Sequence, residues 1–303
     1  GTATFTAGDT EVTVTVTTNE DAADEVNETF TIDLTNAANA TISGAQGTGT
    51  ITDDDVTPTI SVDDVTVTEG DTSGTTSAVF TITLSAPSGN DVTVNYSVSD
   101  GTATTSDSDF SSALTDDDAS TSDGVATFAA AVNDDPANGD TTVQVTVLVN
   151  KDDTDEATET YSLNLSSASD ATISGSTGTG TITTDDTAPT IAVDNITITE
   201  GASGTTTGDF TVSLSNASDT AVGVTYALAD NVAAAASDYS STGAESDASS
   251  GDSTVTFAAG ETSHTVTVTV NGDVVNEADE IFNIDLTSPT GGNNGSASIS
   301  DAQ

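Results

Sequence analysis

The chain is almost without cations. One Lys and no Arg stand against 50 acidic residues in 303, a formal net charge of -49. Phosphate recognition requires cationic side chains, so nucleic acid is excluded as a partner. An anionic membrane surface is excluded on the same ground. Cysteine is absent, which removes disulfides and zinc–thiolate sites. Trp and Met are absent too, and no leader-like segment is visible, so the residues read as a mature or excised piece of a longer product. No apolar run approaches the length of a membrane span, and no membrane insertion is expected. The single His, His264, lies in Thr262–Thr265 and reads as an exposed strand residue. It cannot build a zinc site or a triad alone. No nucleophile elbow and no phosphate-binding glycine loop occurs. Glycosidase chemistry on paired carboxylates usually adds aromatic platforms, and Trp is missing. The chain reads as non-enzymatic.

High charge with few aromatics normally signals disorder. The apolar residues argue otherwise, because they recur at period two. Val12, Val14 and Val16 alternate with Thr, as do Phe30, Ile32 and Leu34 with polar neighbours. Val143, Val145, Val147 and Val149 follow the same rule, as do Val266, Val268 and Val270. Thr and Val in strict alternation are the mark of half-buried strands.

Internal repetition organises these strands. Thr50–Asp55 followed by Pro58-Thr-Ile60 returns 131 residues later as Thr181–Asp186 followed by Pro189-Thr-Ile191. Val67-Thr-Glu-Gly70 returns at the same offset as Ile198-Thr-Glu-Gly201. Residues 1–57 read as the C-terminal half of a module, 58–188 as a complete module, and 189–303 as a module lacking its last strand. An open last edge of that kind could accept a strand from another chain.

The complete module predicts seven strands. The first spans Thr59–Thr68, kinked at Asp63-Asp64, and the second spans Ala78–Ser85. The third is Asp91–Ser99, followed by a long polar loop to Asp123. The rest are Gly124–Ala130, Thr141–Asn150, Glu159–Ser166 and Thr177–Thr183. Loops rich in Gly, Asn, Asp and Ser divide them. The fold class is all-β: tandem immunoglobulin-like antiparallel β-sandwiches of about seven strands.

The acids recur in register. Asp21, Glu25 and Glu28 repeat as Asp152, Glu156 and Glu159, and again as Asp273, Glu277 and Glu280. Strand parity gathers more of them. Turns after odd-numbered antiparallel strands share one pole, which collects Glu69, Asp107 with Asp109, the loop from Asp152 to Glu159, and Asp185-Asp186. Two carboxylates about 4 Å apart repel by roughly 4 kcal/mol at an effective dielectric near 20. Lys151 offsets one charge at most, so the pole reads as a site for a dissolved cation, the alternative being simply solvated loop acids. Calcium (Ca2+) accepts six to eight oxygens with flexible geometry, whereas magnesium demands a strict octahedron.

The same residues carry a resemblance. Thr66-Val-Thr-Glu-Gly70, Val98–Thr104, Ser108-Asp-Phe110, Val125–Phe128, Asp152–Tyr161 and Thr179–Thr183 with Asp185-Asp186 resemble the Calx-beta motif, across all three modules. The resemblance implies an immunoglobulin-like sandwich with calcium at one pole. In the complete module it implies ligands at Glu69, Asp109, Asp152, Asp153, Glu156, Glu159, Asp185 and Asp186. In the third it implies Glu200, Asp238, Asp273, Glu277 and Glu280; in the first, Asp21, Glu25, Glu28, Asp53, Asp54 and Asp55. Lys151 and Gly272 stand where the family often has an acid, and Thr184 replaces the first Asp of a terminal triplet. The inserts Ser111–Asp123 and Ser240–Asp252 have no assigned role.

The expectation is a calcium-binding extracellular repeat region, a rigid stalk of a bacterial surface adhesin. Its partners would be neighbouring modules of the same array. The alternatives are a self-assembling filament or surface-layer subunit, with other copies of the same chain as partners, and a calcium-dependent adhesion module with a cell-surface or glycan ligand.

Overall fold

The computed structural model describes residues 1–71, 73–118, 124–131, 139–234, 237–240, 242–247 and 253–300. Among them there is no helix, and every regular element is a strand. The N-terminal part holds one hairpin, β1 (Glu28–Asp33) with β2 (Gln46–Ile51). The middle part holds β3 (Thr59–Val62), β4 (Val65–Thr68), β5 (Thr75–Leu84), β6 (Val92–Ser99), β7 (Phe110–Asp116), β8 (Val125–Phe128), β9 (Thr142–Asn150), β10 (Glu159–Ser169), β11 (Thr172–Gly175) and β12 (Thr177–Thr183). The C-terminal part holds β13 (Thr190–Val193), β14 (Gly204–Leu214), β15 (Val222–Asp230), β16 (Ala244–Glu245), β17 (Thr254–Phe257), β18 (Ser263–Gly272), β19 (Phe282–Thr290) and β20 (Ser298–Ile299).

In the middle module two five-stranded sheets, ordered β4-β12-β10-β6-β8 and β11-β3-β5-β9-β7, face one another. The period-two pattern explains why. Ala78, Phe80, Ile82 and Leu84 of β5 and Val143, Val145, Val147 and Val149 of β9 point inward and are buried. They meet Val92, Val94 and Tyr96 of β6 and Tyr161, Leu163 and Leu165 of β10 in one core. Each fully buried Val, Leu, Ile or Phe contributes about 1.5–3 kcal/mol of transfer free energy. The intervening Thr and Ser residues face solvent. The third module repeats the plan, with sheets β16-β18-β14-β13-β20 and β17-β15-β19.

The kink at Asp63-Asp64 moves the first strand from one sheet to the other. β3 pairs antiparallel with β5, and β4 pairs parallel with β12. Each acid pins one side of the crossing. Asp63 Oδ1 accepts from Thr81 N–H at 2.7 Å, and Asp64 Oδ1 accepts from Thr179 N–H at 2.7 Å.

Three expectations need correction. The stretch after Asp109 is not all loop, because β7 adds an edge strand to β9. Its Asp116 accepts from the Tyr96 hydroxyl at 2.5 Å, and in the third module Tyr226 donates to the buried Glu245 of β16. The inserts therefore close sheet edges and satisfy a core tyrosine; residues 119–123, 241 and 248–252 of them lie outside the described residues. His264 is not exposed: its side chain is 11% exposed, its Nε2 lies 2.9 Å from Glu261 Oε2, and its ring packs on Phe257. Val12–Val16 form no strand, and Val14 and Val16 are exposed. Their counterparts in β9 lie between β5 and β7, and the first module offers no such neighbours among the described residues. Ile196 and Ile198 likewise lie outside any strand, because their counterpart β4 leans on β12 and no equivalent of β12 is described in the third module. A cavity of about 620 Å³ opens there, lined by Ile196, Ile198, Phe210, Tyr239 and Phe282.

The Gly-x-Gly pattern of the last strand has a packing cause. Gly180 pairs with Tyr161 and lies under its ring, as Gly49 lies under Phe30. A Cβ at Gly180 would overlap the ring, which is itself stacked on Phe110 at 4.5 Å. Overpacking of this kind costs about 1–3 kcal/mol. Gly180→Ala is expected to lower the urea midpoint accordingly, while Thr177→Ala at the exposed start of the same strand leaves it nearly unchanged.

Candidate metal centre

The acidic loop between β9 and β10 folds on its first Asp. Asp152 Oδ1 accepts from Thr154 N–H at 2.7 Å. Asp21 does the same with Ala23 N–H at 2.9 Å, and Asp273 with Val275 N–H at 2.6 Å. Asp favours this local turn because its short carboxylate reaches the amide two residues on. The turn projects the following Glu, and Glu159 opens β10 as the rigid end of the loop.

Glu69 is placed by a glycine. Gly70 has φ +91° and Gly201, after Glu200, has φ +87°, a conformation that other residues rarely adopt. Gly70 N–H donates to Asp185 Oδ1 at 3.0 Å, and Thr76 donates to the Glu69 carbonyl at 2.6 Å. Thr206 repeats the second bond on Glu200 at 3.0 Å. Asp109 is held by Thr104 N–H, which donates to its Oδ2 at 2.6 Å.

Strand ends then converge. One carboxylate oxygen from each of Glu69, Asp185 and Asp186 lies within 4.8 Å of the others. Asp109, Glu156 and Glu159 form a second such group, and Glu200, Asp273 and Glu277 a third. Burial pushes the Glu156 carboxyl up to about 8, with Glu69, Asp152, Asp109 and Glu159 adding repulsion, so Glu156 feels charge from both groups of the middle module. Burial raises Glu69 to about 7, opposed by a hydrogen bond from Thr184. Glu159 rises to about 7 by burial and its contact with Asp109, and Asp186 to about 6 by burial beside Asp185 and Asp153. Glu69 is only 3% exposed, yet its Oε1 has no hydrogen-bond partner, and neither has Asp186 Oδ2. Among the described residues Lys151 makes no ion pair with these acids, although its side chain lies over Gly70 with the ammonium nearest.

The donor set is oxygen only, crowded, anionic and partly dry. It fits a hard cation of flexible coordination and does not fit zinc or copper, which favour His and Cys.

The other sequence-derived residues are less gathered. Asp238 is held below the usual carboxylate range by Ala234 N–H and hydrogen bonds to Glu280, while Glu280 and Glu277 are raised, first by burial and then by neighbouring acids. Asp21, Glu25, Glu28, Asp53, Asp54 and Asp55 form no group of three among the described residues. Asp55 is raised by burial and by Asp53, Asp54 and Asp21. Sequence reasoning missed the role of Thr184, treated as a lost ligand but in fact a donor to Glu69. It also missed Asp155, whose side chain leaves the acidic group for the next module. No spacing rule separates Asp155 from its neighbours.

The model of the Calx-beta domain matches residues 1–55, 52–117, 115–188 and 184–302. The chain belongs to the Calx-beta family. The break between the second and third matches falls at the end of β7. A search of curated proteins gives no match. Among solved structures, the CBD12 fragment of CALX1.2 is 18% identical, with 77% of this chain and 81% of that one covered and a TM-score of 0.33. The calcium binding domain CBD12 of CALX1.1 is 18% identical over 76% and 79%, with a TM-score of 0.32. The Yersinia pseudotuberculosis adhesin InvE is 16% identical over 72% and 51%, with a TM-score of 0.28. The family assignment rests on the sequence match.

The raised carboxyls of this Calx-beta chain predict a pH dependence. The metal-free folded state holds protons on Glu69, Glu156 and Glu159 where the unfolded chain, with ordinary values of 4.5, has released them. Folded stability therefore falls as pH rises from about 4.5 to about 8. Thermal melts in chelator at pH 5, 6, 7 and 8 should show a declining melting temperature, and Glu156→Gln should flatten the decline.

Proposed function

We propose that the chain is a non-enzymatic, calcium-binding repeat region that acts outside the cell as a rigid stalk of a bacterial surface adhesin. Its modules would be those of residues 1–57, 58–188 and 189–303. The observation that carries this reading is Glu69 Oε1, buried without a hydrogen-bond donor in a group of three carboxylates. Calcium would be held in the middle module by Glu69, Asp109, Asp152, Asp153, Glu156, Glu159, Asp185 and Asp186. It would supply charge neutralisation and crosslink β4, β9, β10 and β12 at one pole. A ligand that binds only the folded state stabilises it by about 2.7 kcal/mol at one hundred times its dissociation constant.

The membrane side is bounded by one fact: no helix among the described residues is long and apolar enough to cross a bilayer. The family likeness supports the non-enzymatic reading. A self-assembling role is favoured by one observation. Among the described residues β19 pairs with β15 alone, whereas its counterpart β10 pairs with both β6 and β12, and the cavity is lined by residues of β19. A strand from a second copy would fit there; light scattering in calcium should then show oligomers, and monomers alone would exclude it.

The stalk reading is tested by calorimetric titration and melting. Millimolar calcium should bind and raise the melting temperature by several degrees. Glu156→Gln and Glu69→Gln should each weaken binding at least tenfold. Unchanged melting with calcium, and no heat of binding, would sink the proposal.

A further inference from the structure

The two joints between modules differ, and the difference lies in one carboxylate. Asp155 is fully buried although it sits in the exposed acidic loop of the middle module. Its Oδ1 accepts from Asn294 N–H at 2.8 Å, and its Oδ2 accepts from Asn293 N–H at 2.7 Å and from the Ser218 hydroxyl at 3.3 Å. Its main chain is engaged on the same side. Asp155 N–H donates to Ala217 O at 3.0 Å, and its carbonyl accepts from Asp219 N–H at 3.2 Å and Asn293 Nδ2 at 3.1 Å. Consecutive backbone N–H groups converging on one anion form a nest, and charge-assisted bonds of this kind are stronger than neutral ones.

The donors come from an insert. Leu286 aligns with Leu165 and Ala297 with Ala171, so the third module carries five more residues between them, Gly291-Gly-Asn-Asn-Gly295. Gly291, Gly292 and Gly295 all have positive φ, which lets the insert fold back on the joint. Asn294 also ties the linker, donating from Nδ2 to Asp186 O at 2.6 Å. The middle module has only Ser169-Asp170-Ala171 at the equivalent turn. The first joint accordingly lacks the nest. Asp24 sits at the register of Asp155, and its carbonyl accepts from Gly89 N–H at 3.0 Å and from the Ser88 hydroxyl at 3.4 Å, but among the described residues its carboxylate reaches only the Thr57 hydroxyl at 3.5 Å. The third module has Asn276 at that register, whose amide donors do not suit a nest of N–H groups.

We propose that the Asp155 carboxylate, seated in the Asn293–Asn294 and Ser218 socket, is an interaction site that latches the middle module to the third, and that it acts without any metal. The first joint lacks the latch and moves more freely. The partner chemistry is specific: a carboxylate from the preceding module meeting backbone amides of an inserted turn. The latch stands whether or not calcium binds next door.

The test uses the full chain, which has no native cysteine to interfere with labelling. Spin labels at Ser97→Cys and Ala227→Cys, both exposed, report the distance distribution between the two modules. In chelator the unmutated latch should give a narrow distribution. Asp155→Ala should broaden it at least twofold, and deletion of residues 291–295 should broaden it equally while leaving the acidic loop untouched. Glu156→Gln should leave the chelator distribution unchanged while removing the calcium response, which separates the latch from the metal reading. If Asp155→Ala fails to fold, the deletion variant carries the comparison. A distribution that stays narrow in the deletion variant, or one that broadens in Glu156→Gln, would overturn the latch.

Discussion

Everything at the acidic pole follows from carboxylates that the fold brings together and the sequence leaves without counter-ions. The β-sandwich puts the ends of β4, β9 and β12 and the start of β10 in one place. Each of those ends carries an acid. Lost hydration, with repulsion added, then raises Glu69, Glu156 and Glu159 together, so no single residue can be understood alone. The fold tolerates the crowding because the core beneath it is dense. Tyr161 stacks on Phe110 directly under the loop, and Tyr239 stacks on Phe282 in the third module at 4.4 Å. Hydrophobic packing fixes the strand ends, and the strand ends fix the acids.

The same logic explains why the middle and third modules differ. Asp185 and Asp186 follow β12 and reach Glu69 only because β12 pairs in parallel with β4. In the third module no equivalent of β12 is described, Ile196 and Ile198 are outside any strand, and the acids group as Glu200, Asp273 and Glu277. Val274 and Val275 are exposed beside them. A buried orphan oxygen thus accompanies β12 in the middle module, while the third module's trio, half-buried at Glu200 and exposed at Asp273 and Glu277, forms without a described counterpart of β12.

Much of this was legible in the sequence, for identifiable reasons. Period-two alternation located β5, β6, β9 and β10, since half-buried strands impose it directly. Parity placed Glu69, Asp109, Glu156 and Asp186 at one pole, because antiparallel connection leaves little freedom. What escaped was set by long-range pairing. Residues 110–116 are polar on their face and read as loop, but an open edge of β9 recruits them. Val12–Val16 have a strong strand pattern and remain unpaired, because pattern alone supplies no neighbour. His264 reads as exposed in the sequence because nothing local marks the approach of Phe257 and Glu261.

Asp155 shows how far identical local chemistry can diverge. It lies between Asp152 and Glu156 in one acidic loop, yet its neighbours face a crowded anionic pole and it faces amides. The turn built on Asp152 divides them: Asp152 binds Thr154 N–H, which rotates the next residue outward across the joint. One loop thereby serves two electrostatic environments. On one side acids repel and call for a cation. On the other, an acid is satisfied by Asn293 and Asn294 N–H groups and needs none. Because the insert supplying those amides is confined to the third module, joint stiffness varies along the chain independently of the acidic register that repeats in all three modules.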